Sequence, residues 1–281
     1  MKIGHTGITW GIPGDVETAY RETAELGYLG FETFARTIIE WNQKPGGYRA
    51  LVERFGIPTS AAYCYKQWID PATSGQELAA ARGEAEAAKQ AGASALVLQA
   101  GSRPEQGYGD DEMRRLAAAL NAIGSYCREI GLVAALHPHT GTAIETREEI
   151  DAILQLTDAE LVGFAPDTGQ IAKGGSDIVE VLNTHRDRIA HVHLKDWCGR
   201  YERDAAGKEI DTTGYVNYEP IGNGVLPMPE ILRIVQESGR DCWVNVELDG
   251  TNRAPRPPRE AAAMSRRYLG EILGDQVAWR R

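Results

Sequence analysis

The sequence contains few cysteines and no cysteine motif. Four cysteines are spread over 281 residues, with no C-x-x-C pair and no cysteine beside a histidine at zinc-finger spacing. This pattern argues against a disulfide scaffold and against a structural zinc site held by thiolates. We therefore expect reduced thiols with a structural role at Cys64, Cys127, Cys198 and Cys242.

The chain also lacks an excess of positive charge and any long apolar run. It has 30 Lys and Arg residues against 40 Asp and Glu residues, a formal net charge of -10, without a basic stripe. This charge repels nucleic acids and anionic membrane surfaces, so neither is expected as a partner. No apolar run approaches the roughly 20 residues of a membrane span, and the first residues, MKIGHTGITWG, lack the apolar core of a signal peptide. We expect a cytoplasmic protein.

One structural unit recurs along the chain: an amphipathic helical run, a glycine and a short apolar strand. Examples are TAELGYLGFETF, AAKQAGASALVLQA and YCREIGLVAALHPH. Each glycine stands where a helix ends, a position whose positive φ is favourable only without a Cβ atom. The predicted helix-ending glycines are Gly27, Gly56, Gly92, Gly131 and Gly239.

The strand candidates lie near residues 2, 29, 58, 95, 132, 161, 189 and 242. Most are nearly continuous apolar runs, as expected of parallel strands covered by helices. No linker or composition shift divides the chain. We predict one (β/α)8 TIM barrel domain over residues 1–281, with a long loop at 197–227 on its active face. We interpret this loop as a substrate lid, with a plain surface excursion as the alternative.

Ionisable residues follow four late strands, in AALHPH, GFAPD, HVHLKD and NVELD. The carboxyl ends of barrel strands converge on one cavity. Buried charges must be paired, solvated or bound to a metal, and a shared divalent cation satisfies them together. His191 and His193 alternate on one strand, and we expect only one of them to point into the barrel. The candidates are His137, His139, Asp167, His191, His193, Lys195, Asp196, Glu247 and Asp249, with Glu145 just beyond its strand.

Several of these candidates also have a plainer structural interpretation. Asp167 suits a turn or a helix N-cap, and Glu145 suits the first turn of the following helix. Lys195 and Asp196 are as well explained by pairing with each other. A structural role is a weaker alternative for Glu247, because an unpaired glutamate within an apolar run is costly to bury.

The same segments carry a resemblance to a known family. LHPHTGTAIETREEIDAIL, GFAPDTGQIAKGGSDIVEVLNTHRDRIAHVHLKD and CWVNVELD resemble the sugar-phosphate isomerase/epimerase superfamily of xylose isomerase-like barrels. Within it, the chain is most similar to the inosose dehydratases of inositol catabolism. The resemblance is densest from about residue 130 to 250.

The resemblance implies a divalent metal site. By position, the family's metal ligands fall on Glu145, Asp167, His193 and Glu247. Mn²⁺ is the expected ion for this mixture of carboxylates and imidazole, with Mg²⁺, Co²⁺ and Zn²⁺ as alternatives. Many members of the superfamily have a glutamate where this chain has His137.

The resemblance also implies catalytic and binding residues. His137 or His139, with a pKa near the working pH, is expected to move the proton, and Lys195 to stabilise an oxyanion. Substrate binding is assigned to Gln170, Trp197 and Trp10, although tryptophans at barrel rims more often serve packing.

The implied reaction is that of a metal-dependent lyase acting on a keto-sugar or keto-cyclitol. A proton is lost next to a carbonyl, and β-elimination proceeds through a metal-bound enediolate. Reprotonation of the same enediolate gives the alternative, a sugar isomerase or epimerase. A non-catalytic carbohydrate-binding barrel is a remoter alternative, and the acidic net charge argues against a related abasic-site endonuclease. The partner is a small sugar or cyclitol, and a homo-oligomer is compatible with the sequence.

Overall fold

Parallel strands form a closed ring in the computed structural model, which describes residues 1–11, 14–103, 109–201, 205–206, 217–249 and 256–280. Eight strands follow one another in the order β6-β5-β4-β3-β2-β1-β10-β7, and the ring closes where the backbone N–H groups of Ala190 and His193 donate to the carbonyls of Phe164 and Pro166 at 2.8 and 2.9 Å. The described strands are β1 (Lys2–Thr6), β2 (Phe31–Phe34), β3 (Thr59–Tyr65), β4 (Ala95–Gln99), β5 (Val133–His137), β6 (Val162–Phe164), β7 (Val192–Leu194), β8 (Asp196–Trp197), β9 (Tyr218–Glu219) and β10 (Trp243–Val246).

Helices alternate with the strands around the ring. The five glycines predicted to end helices all have positive φ angles, between 66° and 85°, so the sequence signal is confirmed. The helices are α1 (Val16–Glu25), α2 (Ala35–Trp41), α3 (Gly47–Phe55), α4 (Ser74–Gln90), α5 (Asp110–Glu129), α6 (Arg147–Leu156), α7 (Thr168–Lys173), α8 (Ile178–Thr184), α9 (Met228–Glu237) and α10 (Pro258–Leu273).

The core has two separate layers. The larger hydrophobic cluster lies between the strands and the helices. A second cluster contains only small apolar residues from the other strand face, among them Ala61, Val97 and Ala135. Because side chains alternate along a strand, Ala135 and His137 share a face, as do Val97 and Gln99. The layer of small apolar residues therefore fills the inside of the barrel nearer the amino ends of the strands. The polar residues lie nearer the carboxyl ends, where space remains.

The predicted TIM barrel is confirmed, since each of its eight strands lies at or within a few residues of the position expected from the sequence. No helix in the described part of the chain is long and apolar enough to cross a membrane.

The segment after β7 begins with β8 and returns through β9, and these two strands pair in an antiparallel arrangement. The expected pairing of Lys195 with Asp196 is wrong. The Asp196 carboxylate instead accepts backbone hydrogen bonds of 2.9–3.2 Å from Trp197, Gly222, Gly224 and Leu226. Much of the predicted lid, residues 202–204 and 207–216, lies outside the described residues.

Candidate active site

Three buried side chains from different strands meet at the carboxyl end of the barrel. His137 ends β5, Asp167 follows β6, and His193 lies in β7. One potential ligand atom of each lies within 4.8 Å of the others. Asp167 also caps helix α7, where its Oδ1 accepts the backbone N–H of Gln170 at 2.9 Å. Asp167 therefore has the N-cap role that was the alternative interpretation of the sequence. Its second carboxylate oxygen, Oδ2, takes no part in the cap and remains available to the cluster.

Glu247, which follows β10, completes the group. Its Oε2 lies 2.8 Å from Nδ1 of His193. Burial opposes a charge on either residue, but the attraction between them lowers the pKa of Glu247 and, with Glu32, raises that of His193 well above its usual value. The site therefore favours positive charge at His193 Nδ1, whether that charge is a proton or a metal ion.

The donor set fits a divalent cation. Both ring nitrogens of buried His137 lack a hydrogen-bond partner among the residues that the structure describes. Burial lowers the pKa of His137 well below its usual value, so the ring is neutral and carries a lone pair. Buried polar atoms are rarely left unpaired. Two imidazoles with two carboxylates suit Mn²⁺, Co²⁺ or Zn²⁺.

The structure brings three of the four predicted ligands together and places Glu145 elsewhere. The Glu145 carboxylate accepts the backbone N–H of Gly141 at 2.9 Å and lies 3.8 Å from Arg103. It is half-buried beyond a turn, outside the cluster of neighbouring ligand atoms. His137 occupies the strand end instead.

Glu32, in the middle of β2, is a site residue that sequence reasoning missed. Its two carboxylate oxygens accept hydrogen bonds from Nε2 of His191 and of His193 at 2.9 and 2.8 Å. The expectation that only one of these histidines points into the barrel is therefore wrong, since residues two apart share a strand face. Because a carboxylate only accepts, Nε2 of His193 carries a proton, and Nδ1, which faces Glu247, is the ring nitrogen that would bind a metal ion in place of a proton.

Lys195 is fully buried among carboxylates. Its Nζ lies 2.7 Å from Glu247 and from Asp249, and 3.0 Å from Asp167. Burial disfavours the ammonium form, but these three carboxylates outweigh it and raise the pKa of Lys195 well above its usual value. Lys195 is thus a fixed cation beside the cluster.

His139 lines the cavity and is held in a defined tautomer. Its Nδ1 donates to the carbonyl of Thr140 at 2.7 Å, and its Nε2 accepts from Nε2 of Gln170 at 2.8 Å. Burial lowers the pKa of His139 to about 4. The sequence-based expectation of a histidine pKa near the working pH is therefore not met by His137 or His139, because neither ring is solvated.

The two tryptophans assigned to substrate binding have other contacts. Nε1 of Trp10 donates to Glu22 of helix α1 at 2.7 Å. Trp197 packs against Tyr201, with ring centroids 5.7 Å apart. Neither tryptophan lines the cavity described below, and Gln170 contacts His139 and Thr140 rather than the cavity itself.

A cavity of about 410 Å³ opens beside the cluster, a size that suits a small polar ligand. Its wall includes Glu247, Asp249 and His139 from the late strands. It also includes the buried pair Lys66 and Glu84, for which the sequence offered no signal. Other wall residues from the first strands are Thr6, Glu32, Phe34, Tyr63, Tyr65 and Gln99.

Comparison with known sequences agrees with the observed fold. The family described as xylose isomerase-like TIM barrel matches residues 20–271. An inosose dehydratase of Lacticaseibacillus casei is 34% identical over 170 residues, which cover 59% of this chain and only 56% of that relative. An inosose dehydratase of Geobacillus kaustophilus is 29% identical over an alignment of 302 positions, which covers 99% of this chain and 96% of that protein.

Solved structures share the fold at low sequence identity. IolI protein with a bound zinc atom has a TM-score of 0.76 at 18% identity, covering 99% of this chain and 100% of its own. The probable 3-DHS dehydratase AsbF from Bacillus anthracis has a TM-score of 0.75 at 18% identity, with 96% and 98% covered. The 3-keto-D-glucoside 4-epimerase YcjR from E. coli has a TM-score of 0.70 at 19% identity, with 97% and 98% covered.

Proposed function

The chain belongs to the xylose isomerase-like TIM barrel family, and on that basis we propose that it is a divalent-metal-dependent lyase that removes water from a keto-cyclitol or keto-sugar. The observation that carries the proposal is the cluster formed by His137, Asp167, His193 and Glu247, of which Glu247 lines a ligand-sized cavity. The relatives named inosose dehydratase support this reaction class and a keto-inositol as the substrate.

The four cluster residues would hold the metal ion. Nδ1 of His193 faces Glu247, and Glu32 fixes that imidazole from behind through Nε2. When bound, such an ion acts as a Lewis acid that polarises a carbonyl and makes the neighbouring C–H more acidic. The zinc atom in the IolI structure supports a divalent ion, and we propose Mn²⁺ as the ion of this chain.

His139 is the proposed proton carrier. Its neutral ring lines the cavity, and its lone pair is on Nε2 because Nδ1 donates to Thr140. Nε2 takes the proton from the carbon next to the carbonyl, and the electron pair of that C–H bond forms the new C=C bond. The β C–O bond breaks, and its oxygen leaves as water with the proton returned from His139. Substrate must first displace the hydrogen bond from Gln170.

Lys195 is the proposed electrostatic stabiliser. Its ammonium group is fixed by Asp167, Glu247 and Asp249 within 3.0 Å, so it does not reorganise during the reaction. Lys195 does not line the cavity itself but contacts Glu247 and Asp249, which do, so its charge would act through space on negative charge that develops on a carbonyl oxygen beside them. The three carboxylates keep Lys195 protonated, which suits a stabilising role rather than that of a base.

The alternative reaction is epimerisation or isomerisation, which shares the first proton transfer. It is supported by the structural likeness to the E. coli 3-keto-D-glucoside 4-epimerase. The two reactions differ in the fate of the proton on His139, which returns either to carbon or to the leaving oxygen. Elimination is preferred because relatives of higher sequence identity are named dehydratases.

Mass spectrometry of the product tests the proposal. Purified protein loaded with Mn²⁺ is incubated with 2-keto-myo-inositol and, separately, with 3-keto-glucosides. We expect loss of one water from the cyclitol, at a rate that chelation abolishes and Mn²⁺ restores. A product of unchanged mass and altered stereochemistry would instead identify an epimerase. Absence of turnover on every substrate would remove the enzymatic proposal.

A further inference from the structure

A second group of buried polar residues lies in the cavity wall, away from the cluster. Lys66 follows β3 and Glu84 lies in helix α4, and both side chains are at least nine-tenths buried. Nζ of Lys66 donates to Oε1 of Glu84 at 2.6 Å and to the backbone carbonyl of Tyr65 at 3.0 Å. Both charged residues line the cavity, together with Gln99 at the end of β4.

This ion pair is costly as a purely structural element. Each of the two charges loses much of its hydration free energy when it is taken out of water. A protein in which apolar residues of equal size replace such a buried pair is often as stable as the original. An ion pair whose second carboxylate oxygen is also left unpaired is less favourable still. Oε2 of Glu84 is buried and has no nitrogen or oxygen donor within the described ranges, although the buried Cys64 thiol interacts with this carboxylate.

The hydrogen-bonding groups of this pair match those of a hydroxyl group. An ammonium group has three N–H donors, and Lys66 uses two of them on Glu84 and Tyr65. One N–H donor of Lys66 therefore remains beside the Glu84 carboxylate, and both residues line the cavity. A hydroxyl group both donates and accepts, whereas a carboxylate or phosphate would be repelled by Glu84 and an ammonium by Lys66.

The pair lies at a different part of the barrel from the proposed metal ligands. In the ring, β3 and β4 are separated from β10, which carries Glu247, by β2 and β1. The cavity touches both Glu84 and Glu247. A ligand that fills it is held at one end near the cluster and at the other end by Lys66 and Glu84.

We propose that Lys66 and Glu84, with the neighbouring Gln99 amide, form a hydroxyl-binding subsite for the unreactive end of a neutral polyol. The proposal rests on the proposed function, because it assigns the remote hydroxyls of the same keto-cyclitol or keto-sugar. Binding energy from such remote groups positions the reacting carbon and determines which substrates are accepted.

Calorimetric titration with 2-keto-myo-inositol, a 3-keto-glucoside and single-deoxy inosose analogues tests the subsite without relying on turnover. The variant is K66M/E84Q, which removes both charges together so that neither is left buried and unpaired. The matched control is R147M/D151N, an ion pair of 2.7 Å on helix α6 that does not line the cavity. Thermal melting checks that both variants fold.

We expect K66M/E84Q to bind the polyol at least about tenfold more weakly than wild type, as for lost hydrogen bonds to charged groups. The control is expected to bind normally. One deoxy analogue is expected to bind equally to wild type and variant, because it lacks the hydroxyl that the pair holds. If K66M/E84Q does not fold, a crystal structure of wild type with 2-keto-myo-inositol replaces it, and a ligand hydroxyl must lie within hydrogen-bond distance of both residues.

Equal affinity of wild type and K66M/E84Q for the polyol would overturn the subsite, whatever the turnover. Wild-type protein that binds the polyol through the pair but releases no water would support the subsite and defeat the lyase. Wild-type protein that binds none of these polyols would overturn both.

Discussion

The imidazole rings of His137 and His193 lie edge to face at the centre of the barrel, with centroids 4.6 Å apart and an angle of 61° between the planes. The two residues belong to β5 and β7, which are far apart in sequence. Burial keeps His137 neutral, whereas Glu247 and Glu32 favour positive charge on His193, so a lone pair of His137 lies beside a position that favours a cation. A cation shared with Asp167 and Glu247 accounts for the contact.

The carboxylates of the cluster are expected to be essential for metal binding. Asp167→Asn and Glu247→Gln keep the size of each side chain but remove a charge and a ligand oxygen. We predict metal content near zero and turnover lowered by roughly 10³-fold or more, since a Lewis acid is worth several kcal/mol. Elemental analysis and steady-state rates measure both effects.

A matched control for these variants is Asp187→Asn, an exposed carboxylate just before β7 at the opposite end of the barrel. It is expected to keep full metal content and rate. Stoichiometric metal in either cluster variant would remove that residue from the ligand set.

Glu32 is expected to tune the metal site through His193. Glu32→Gln keeps the shape of the side chain but weakens the hydrogen bonds that orient His191 and His193. We predict metal affinity lowered by about 10–100-fold, as for other supporting carboxylates behind a ligating histidine. Competition with a fluorescent chelator measures the dissociation constant.

Asp151→Asn is the control for Glu32→Gln. It disrupts a comparable contact, in which Asp151 lies 2.6 Å from Nε2 of His185, on the outer surface of the barrel. Metal affinity is expected to be unchanged there. If both variants lowered affinity equally, the effect would be one of general stability.

His139 is expected to matter for turnover and not for metal binding. His139→Ala removes the proposed proton carrier but none of the cluster residues. We predict full metal content with a rate lowered by about 10²–10⁴-fold, the usual contribution of a general acid–base group. His185→Ala, outside the cavity, is the control. An unchanged rate in His139→Ala would exclude this histidine from the reaction.

One cysteine is expected to react in the folded protein. Burial raises the pKa of Cys127 to about 12 and that of Cys242 to about 11, and Cys64 is also fully buried with a raised pKa. Cys198 is half-exposed. At about pH 8, Ellman's reagent is predicted to titrate one thiol rapidly and four after denaturation. Rapid reaction of a second thiol in native protein would contradict the buried environments.

The barrel was predictable because its signals are local. Helix, glycine and apolar strand repeat along the chain, and each glycine satisfies a backbone requirement of its own turn. Asp167, His193 and Glu247 were also predictable, because each polar residue directly follows or interrupts an apolar strand, and strand ends converge in a barrel.

The remaining site residues depend on contacts between distant elements. Glu32 lies in the segment FETF, where the flanking phenylalanines indicate a buried position. The sequence does not show which distant residues would pair with this buried charge. Glu84 lies in an alanine-rich helix, where a glutamate is ordinary and its pairing with Lys66 is set by tertiary packing alone. Glu145 was misplaced because a turn after β5 directs it away, which the spacing in sequence does not reveal.

The most direct test of the account is the metal content of His137→Ala and Glu145→Gln after reconstitution with Mn²⁺ and removal of excess ion. The geometry assigns the ligand position after β5 to His137 and gives Glu145 a hydrogen bond to Gly141 instead. We predict that His137→Ala loses the ion while Glu145→Gln retains one per chain. Loss of metal in Glu145→Gln with full retention in His137→Ala would contradict the proposed centre.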